Sequence, residues 1–507
     1  MQLAELVATS AAVAATSARR EKIALLAGLL TRLQPSEVPV AIGFLTGWPR
    51  QGRIGIGWAT LAAARPPAAP LSGLSLGEVD AGLEAVRSLS GARSALERRR
   101  LLGELLGRAT AAEQDFLVAL LTGEVRQGAL EGVMLEAVAR AAGLPGDRVR
   151  RAVMLAGDLG AVAETLLGEG EAALARYTLK LFRPVQPMLA DSAATVGEAL
   201  AALGRAVIEW KLDGARIQVH RREDRVAVYS RNLNEVTGAV PEVVEAVRAL
   251  PVRELILDGE AIALRPDGTP LPFQETMRRF GRRLEVERLR GELPVTPFFF
   301  DLLWLDGEAL LDEPLSARLA RLDDVLPAPL RVPRTVTARV EAAERFLADT
   351  LQRGHEGVVA KAPGAAYAAG RRGAAWLKIK TPRTLDLAVL AAEWGSGRRR
   401  GWLSNLHLGA RDPVSGRFVM LGKTFKGMTD ALLEWQTREL LARETHREGH
   451  VVYVRPELVV EVAFNEVQRS SQYPGGVALR FARIKGYRPD KPAAEADTIE
   501  AVQRLGG

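Results

Sequence analysis

Apolar residues recur at three- and four-residue intervals through the first third of the chain, as in "EKIALLAGLLTRL", "LSLGEVDAGLEAVRSL", "ERRRLLGELLGRA" and "LEGVMLEAVARAAG". That period predicts helices and an all-α domain over residues 1 to about 175. The opening "MQLAELVATSAAVAATSARREK" reads as a first helix, because Glu5 interrupts its apolar run and its basic residues follow that run, the reverse of a secretory signal. From "LFRPVQPML" at 181 the period falls to two. "ARIQVHRREDRVAVYSRN" alternates on both sides of a polar turn at Arg221 to Asp224, and "ELILDGEAIAL", "TPFFFDLLWLDG", "EGVVAKAP" and "AAWLKIK" are further strand-like runs, with helices such as "PEVVEAVRAL" between them.

These runs predict an α+β domain with antiparallel sheets over 182 to 383. Beyond "KIKTPRTLDLAVLAAEW" come short strands with Gly-rich turns, one helix near "TDALLEWQTRELLARE" and a basic strand region, "GGVALRFARIKGYRPDK". Many short strands suit a closed sheet, so residues 384 to 507 are expected to form a small OB-fold β-barrel. No apolar run reaches the length of a membrane span, so a soluble cytoplasmic protein without a membrane partner is expected.

Composition sharpens this outline in two places. A formal charge of +7 favours a polyanionic partner such as nucleic acid, and the absence of cysteine excludes disulfides, a thiolate nucleophile and Cys-ligated zinc. The chain has 10 lysines against 58 arginines, and eight of the lysines (Lys211, Lys361, Lys378, Lys380, Lys423, Lys426, Lys485 and Lys491) fall in short motifs of the C-terminal three-fifths. Arginine keeps its proton in a protein, whereas burial and cationic neighbours can turn a lysine into a nucleophile. Lys211 in "EWKLDGARIQVHR" is the candidate, with Lys378 and Lys380 and a metal expected to depress its pKa.

Lys-x-Asp-Gly alone is a weak signal. It is followed in order by "SRN" at 230, "LDGE" at 257, "FFFD" at 298, "EGVVAK" at 356, "WLKIK" at 376 and "LRFARIKGYRPDK" at 479. This series resembles the covalent nucleotidyltransferase superfamily of ATP-dependent DNA ligases, RNA ligases and capping enzymes. The stretches "AIGFLTGWPRQGRIGIGWATL" and "DFLVALLTGEVRQGALEGVMLEAVARAAG" resemble the helical DNA-binding domain of three-domain ATP-dependent DNA ligases. The resemblance implies a nucleotidyltransferase (adenylation) domain at 182 to 383, ATP and Mg²⁺ as cofactors, and nicked double-stranded DNA as the partner of a monomer.

Site roles follow from the same resemblance. Lys211 becomes the adenylyl-lysine, Glu209 reads the adenine amino group, and Arg216 and Arg231 bind phosphate or ribose. Glu260 contacts the ribose and is a candidate metal ligand with Glu356. Phe300 stacks on the purine, although on its own it reads as a core residue of "FFF". Val358 and Trp376 complete the base pocket, and Lys378 and Lys380 meet the α-phosphate. Arg480, Arg483, Lys485 and Lys491 belong to a basic element that closes over the triphosphate, with Asp490 as a pyrophosphate-orienting partner and residues 381 to 384 as its hinge. Ala482, Ile484 and Gly486 depart from the family pattern, which leaves the role of Lys485 open. Arg126, at the bend in "GEVRQGALEG", is a candidate phosphate donor to DNA; without the family it reads as a solvated arginine after a helix cap.

Three other readings share some of these features. A guanylyltransferase or RNA ligase shares the lysine motif but needs no duplex-binding domain. A NAD-dependent ligase carries a Cys-rich zinc module. A non-catalytic single-strand binder needs exposed aromatics, and aromatics are 5% of this chain.

Overall fold

The computed structural model describes residues 1–52, 60–61, 64–90, 94–125, 131–280, 285–368, 372–380 and 383–506. Arg126 and residues 381–382 of the expected hinge lie outside them. The N-terminal helices close around one apolar core running from Leu3 to Leu166. Their starts are set by short polar side chains that accept otherwise unpaired N–H groups: Ser75 from Glu78, Thr110 from Glu113 and Asp158 from Ala161.

The alanine-rich start departs from the single helix expected. It forms two helices, Leu3–Ala15 and Arg19–Leu30. Thr16 is extended between them; its hydroxyl accepts from Ala18 N–H at 3.1 Å and donates to Glu21. A local side-chain bond of this kind replaces the helical one.

Two five-stranded sheets build the central domain. One runs in the order Leu189–Ser192, Arg372–Lys380, Gly357–Lys361, Ala206–Lys211 and Arg334–Thr337. The other runs Arg225–Ser230, Ala215–Arg222, Glu254–Ala263, Val295–Leu305 and Glu308–Ala309. In this second sheet every neighbouring pair is antiparallel, while Leu189–Ser192 pairs parallel in the first.

The strand-like period at 181 misleads. Residues 181 to 188 form no strand and instead lie as a linker against the central domain, because Pro184 and Pro187 remove two ladder donors.

The C-terminal domain wraps a seven-stranded sheet and a strand pair, Glu466–Arg469 with Val477–Arg480, around its own core. One long strand, Arg383–Trp394, pairs along its length with Leu403–Arg411, Val451–Val454 and Val459–Phe464. The expected helix is present at Asp430–Leu441. Among the described residues no helix is long and apolar enough to cross a membrane.

Candidate functional site

Strand register assembles the site. Glu209 pairs with Val359 and Lys211 with Gly357, while Trp376, Lys378 and Lys380 pair with Lys361, Val359 and Gly357. Because side chains alternate, all these residues share one face of the first sheet. All of them but Gly357 line a cavity of about 900 Å³, together with Arg216, Arg231, Glu260, Phe300 and Arg480. Gly357 must be glycine: its φ is +145°, and a Cβ would stand 2.2 Å from the Ile379 carbonyl oxygen. Gly214 of the Lys-Leu-Asp-Gly turn is equally constrained, with a Cβ 2.4 Å from the Ala261 carbonyl oxygen.

Phe300 reaches the cavity through an irregularity. Gly259 pairs with Phe299 and Asp258 with Asp301, so Phe300 is the unpaired residue of a β-bulge, a device that re-aims a side chain. Its ring meets Trp376 edge to face at 6.1 Å, and the Arg216 guanidinium lies 4.6 Å from its centroid. Arg216 is itself anchored, donating to both oxygens of Asp258 at 2.7 and 2.6 Å.

Val358 does not join the cavity. It is buried on the opposite face of its strand with Ile208, Ala360, Leu377 and Ile379, and Val359 lines the cavity in its place. A shift of one residue in a strand changes the face. Lys361 is a residue that sequence reasoning left without a role. It is fully buried, paired with Glu209, with its ammonium 4.0 Å from the Trp376 ring and 4.4 Å from the Phe300 ring. Burial pushes Glu209 above the usual carboxylate range and Lys361 below the usual amine range. Alternation puts it on the face of Val359, but only the pairing of its strand with Trp376 brings that face to the cavity.

At the cavity's edge, Glu356 accepts from both Lys211 and Lys380, and from Asn465 Nδ2 of the barrel at 3.3 Å. This corrects the expected state of Lys211. Burial acts to lower its pKa, but the charges of Glu356, Glu260 and Asp213 outweigh burial and raise it. Glu356 is held below its usual range: burial would raise it, and Lys211 and Lys380 together overcome burial. Lys380 is pushed down by burial and by Lys211. Burial raises Asp213, and the like charge of Glu356 adds to that. Burial brings Glu260 up to about 7. Lys378 lies within 3.5 Å of the Ala190 carbonyl oxygen.

The barrel's basic element is divided by the structure. Arg480 reaches the site, donating to Asp213 at 2.8 Å and Glu466 at 3.3 Å. Arg483 and Lys485 instead line a second cavity of about 1220 Å³ between the barrel and the central domain, which Glu356, Lys378 and Lys380 also border. Lys491 stands apart from both cavities, paired with Asp386 at 2.8 Å, and Asp490 pairs with Arg488. In this domain arrangement neither touches the nucleotide-sized cavity, since Asp386 holds Lys491 within the barrel. Phe481, exposed at φ +55° beside Arg480 and Lys426, lines both cavities and was not singled out from sequence.

Comparison with known proteins agrees with this geometry. Family models described as ATP dependent DNA ligase domain, ATP dependent DNA ligase C terminal region and DNA ligase N terminus match residues 187–380, 399–491 and 59–139. A "Probable DNA ligase" of Anaeromyxobacter sp. (strain K) is 61% identical over 512 residues, covering 100% of both chains. Another from Sorangium cellulosum (strain So ce56) is 56% identical, covering 100% of this chain and 95% of its own. The solved structure "Pmar-Lig_PreS3" shares the fold at a TM-score of 0.63 and 17% identity, covering 95% of this chain and 99% of its own. With all three of its regions matched and whole-length relatives at this identity, the chain belongs to the ATP-dependent DNA ligases, nucleotidyltransferases that use ATP to seal nicks in DNA.

Proposed function

We propose that Lys211 is the residue that takes AMP from ATP. The observation that carries this reading is the single sheet face on which Lys211 stands in register with Glu209, Trp376, Lys378 and Lys380. In the first step the Lys211 amine attacks the α-phosphorus, an N–P bond forms, the bond to the bridging oxygen breaks, and pyrophosphate leaves. AMP then passes to the 5′-phosphate of a nicked duplex. Finally the 3′-hydroxyl attacks that phosphate and AMP departs. Each step is a displacement at phosphorus, to which a protein contributes positioning and charge neutralisation.

The pocket's chemistry suits a purine. Phe300 and Trp376 offer ring faces, and among the described residues Glu209 Oε2 and the Trp376 indole N–H are buried without a hydrogen-bond partner. A base edge supplies both a donor and an acceptor. Arg216 and Arg231 serve the ribose or phosphates, Glu260 the ribose, and Lys378 and Lys380 the α-phosphate, with Arg480 and Arg483 on the pyrophosphate side.

Mg²⁺ fits the carboxylates present. The like charge of Glu356 adds to burial in raising Asp213, a repulsion that a cation between carboxylates relieves, and a hard cation on Glu356, with Glu260 as a second oxygen donor, would neutralise phosphate charge there. Lys211 must lose both its proton and its hold on Glu356 before it can attack. We further propose that the protein acts as a cytoplasmic monomer, where ATP and DNA meet. Residues 1–175 would grip duplex phosphates, with Arg126 among the donors, 182–383 would perform adenylation, and 384–507 would close over the site.

Incubation with α-labelled ATP, denaturing electrophoresis and a chase with nicked duplex tests the reading. Label should stay on the protein and leave on adding DNA. Label that never attaches, or that attaches equally to Lys211→Arg, would refute it.

A further inference from the structure

The linker between the helical and central domains is held by buried side chains at three-residue intervals. Phe182 N–H donates to His220 Nδ1 at 2.9 Å, Val185 N–H to Gln218 Oε1 at 2.9 Å, and Met188 N–H to the Tyr367 hydroxyl oxygen at 3.0 Å. His220 and Tyr367 are fully buried and Gln218 nearly so. Buried polar groups are costly unless paired, so the linker is part of the central domain's hydrogen-bond plan.

The third of these bonds continues into the nucleotide cavity. Tyr367 donates to Asp258 Oδ2 at 2.6 Å, Asp258 accepts from Arg216, and Arg216 donates back to the Met188 carbonyl oxygen at 3.3 Å. Met188, Tyr367, Asp258 and Arg216 therefore form a closed ring, one side of which borders the cavity at Arg216. Burial, with the Asp258 charge, raises the phenol well above its ordinary pKa, so it remains a donor. The other side of the linker is gripped by helix Gly146–Ala156. Gln186 N–H donates to the Met154 carbonyl oxygen at 3.2 Å, and Met154 and Leu155 are buried in the same apolar cluster as Val185, Met188, Phe300 and Trp376.

We propose that Tyr367 is a positioning residue that couples the nucleotide cavity to the interdomain linker. Nucleotide held against Arg216 and Phe300 tightens the ring, orders residues 182 to 188 and sets the helical domain. By reciprocity, a duplex bound to the helical domain firms up the nucleotide site. This rests on the proposed reading of the cavity as the ATP site.

The test is hydrogen exchange on the full chain before and after Lys211 carries AMP, with attachment verified by intact mass. Peptides covering 181 to 189 should exchange roughly five- to tenfold more slowly after adenylylation. In Tyr367→Phe this slowing should fall below about twofold, with the ATP KM raised about tenfold and the saturated rate within about threefold of wild type, as for a lost ground-state contact. Tyr229→Phe, which removes a hydroxyl donating to the Phe182 carbonyl oxygen outside the ring, should leave KM unchanged. If Lys211 takes no AMP, the reading of the cavity fails. If AMP attaches and the wild-type linker does not respond, the coupling is overturned. A Tyr367→Phe enzyme that keeps the full linker response, or loses rate with KM unchanged, overturns the role of Tyr367. Should that variant not fold, the wild-type comparison alone decides.

Discussion

Glu356 holds Lys211, and the same carboxylate also takes Lys380 and the barrel's Asn465. The lysine is thus kept as an ammonium by the carboxylate proposed above to hold Mg²⁺. Two ammonium groups face one carboxylate in this half-buried corner, and the positive charge left over among these three side chains suits phosphate.

Replacing Lys211 with arginine should abolish AMP attachment, by about a thousandfold or more, because a guanidinium retains its proton and is no nucleophile. Arginine can still pair with Glu356, so the melting temperature should change little. Labelled-ATP electrophoresis alongside a thermal melt checks both halves, and a labelled variant would remove Lys211 from the mechanism.

Lys378→Ala and Lys380→Ala should each slow self-adenylylation by about ten- to a thousandfold through loss of a cation near the α-phosphate. The Lys380 variant has a second expected signature. Burial and Lys211 depress the Lys380 ammonium, and removing it leaves Glu356 to Lys211 alone, so the rate should need a higher pH to reach its plateau. Rate–pH profiles at saturating ATP decide this, and wild-type rates in both variants would make "WLKIK" structural.

Glu260 predicts a pH dependence of stability. Burial raises its pKa to about 7 from an ordinary 4.5, so the folded protein binds the extra proton between those values. Its favourable contribution is complete below pH 4.5 and lost as pH rises through 7. Glu260→Gln should therefore stabilise the ligand-free protein above pH 7, by up to about 3 kcal/mol, and change little near pH 4.5. Denaturant melts of both proteins across this range test it; a difference independent of pH would place the Glu260 pKa elsewhere.

Lys491 and Arg483 test whether the barrel moves. Lys491 is bound to Asp386 and distant from the cavity in this arrangement, whereas Arg480 is already at Asp213. If Lys491 meets the triphosphate, the barrel must rotate about the strand that begins at Arg383. Substituting Arg483 and Lys491 together with alanine should then cut enzyme-AMP formation by about a hundredfold and largely spare sealing of a nick supplied already adenylylated. Equal loss of both activities would mean a fixed DNA-binding surface.

Local periodicity was enough to read three regions of different architecture, since helix and strand patterns depend on residues three, four or two positions apart. Alternation in "WLKIK" also puts Lys378 and Lys380 on a common face, because alternation is a property of one strand. It could not say which strands are neighbours or in what register. Lys361 became part of the site only because it pairs with Trp376, Val358 left it because its strand is read from Gly357, and Phe300 entered it through a bulge opposite Gly259. Tyr367 and Met188 carry no local signal, and Asp258 has only its place in "LDGE", since what joins the three is a ring of hydrogen bonds across positions far apart in the chain. The charge state of Lys211 was likewise settled by folding: the lysine motif supplies the amine, and only the tertiary structure sets Glu356 against it, where a nearby opposite charge outweighs burial.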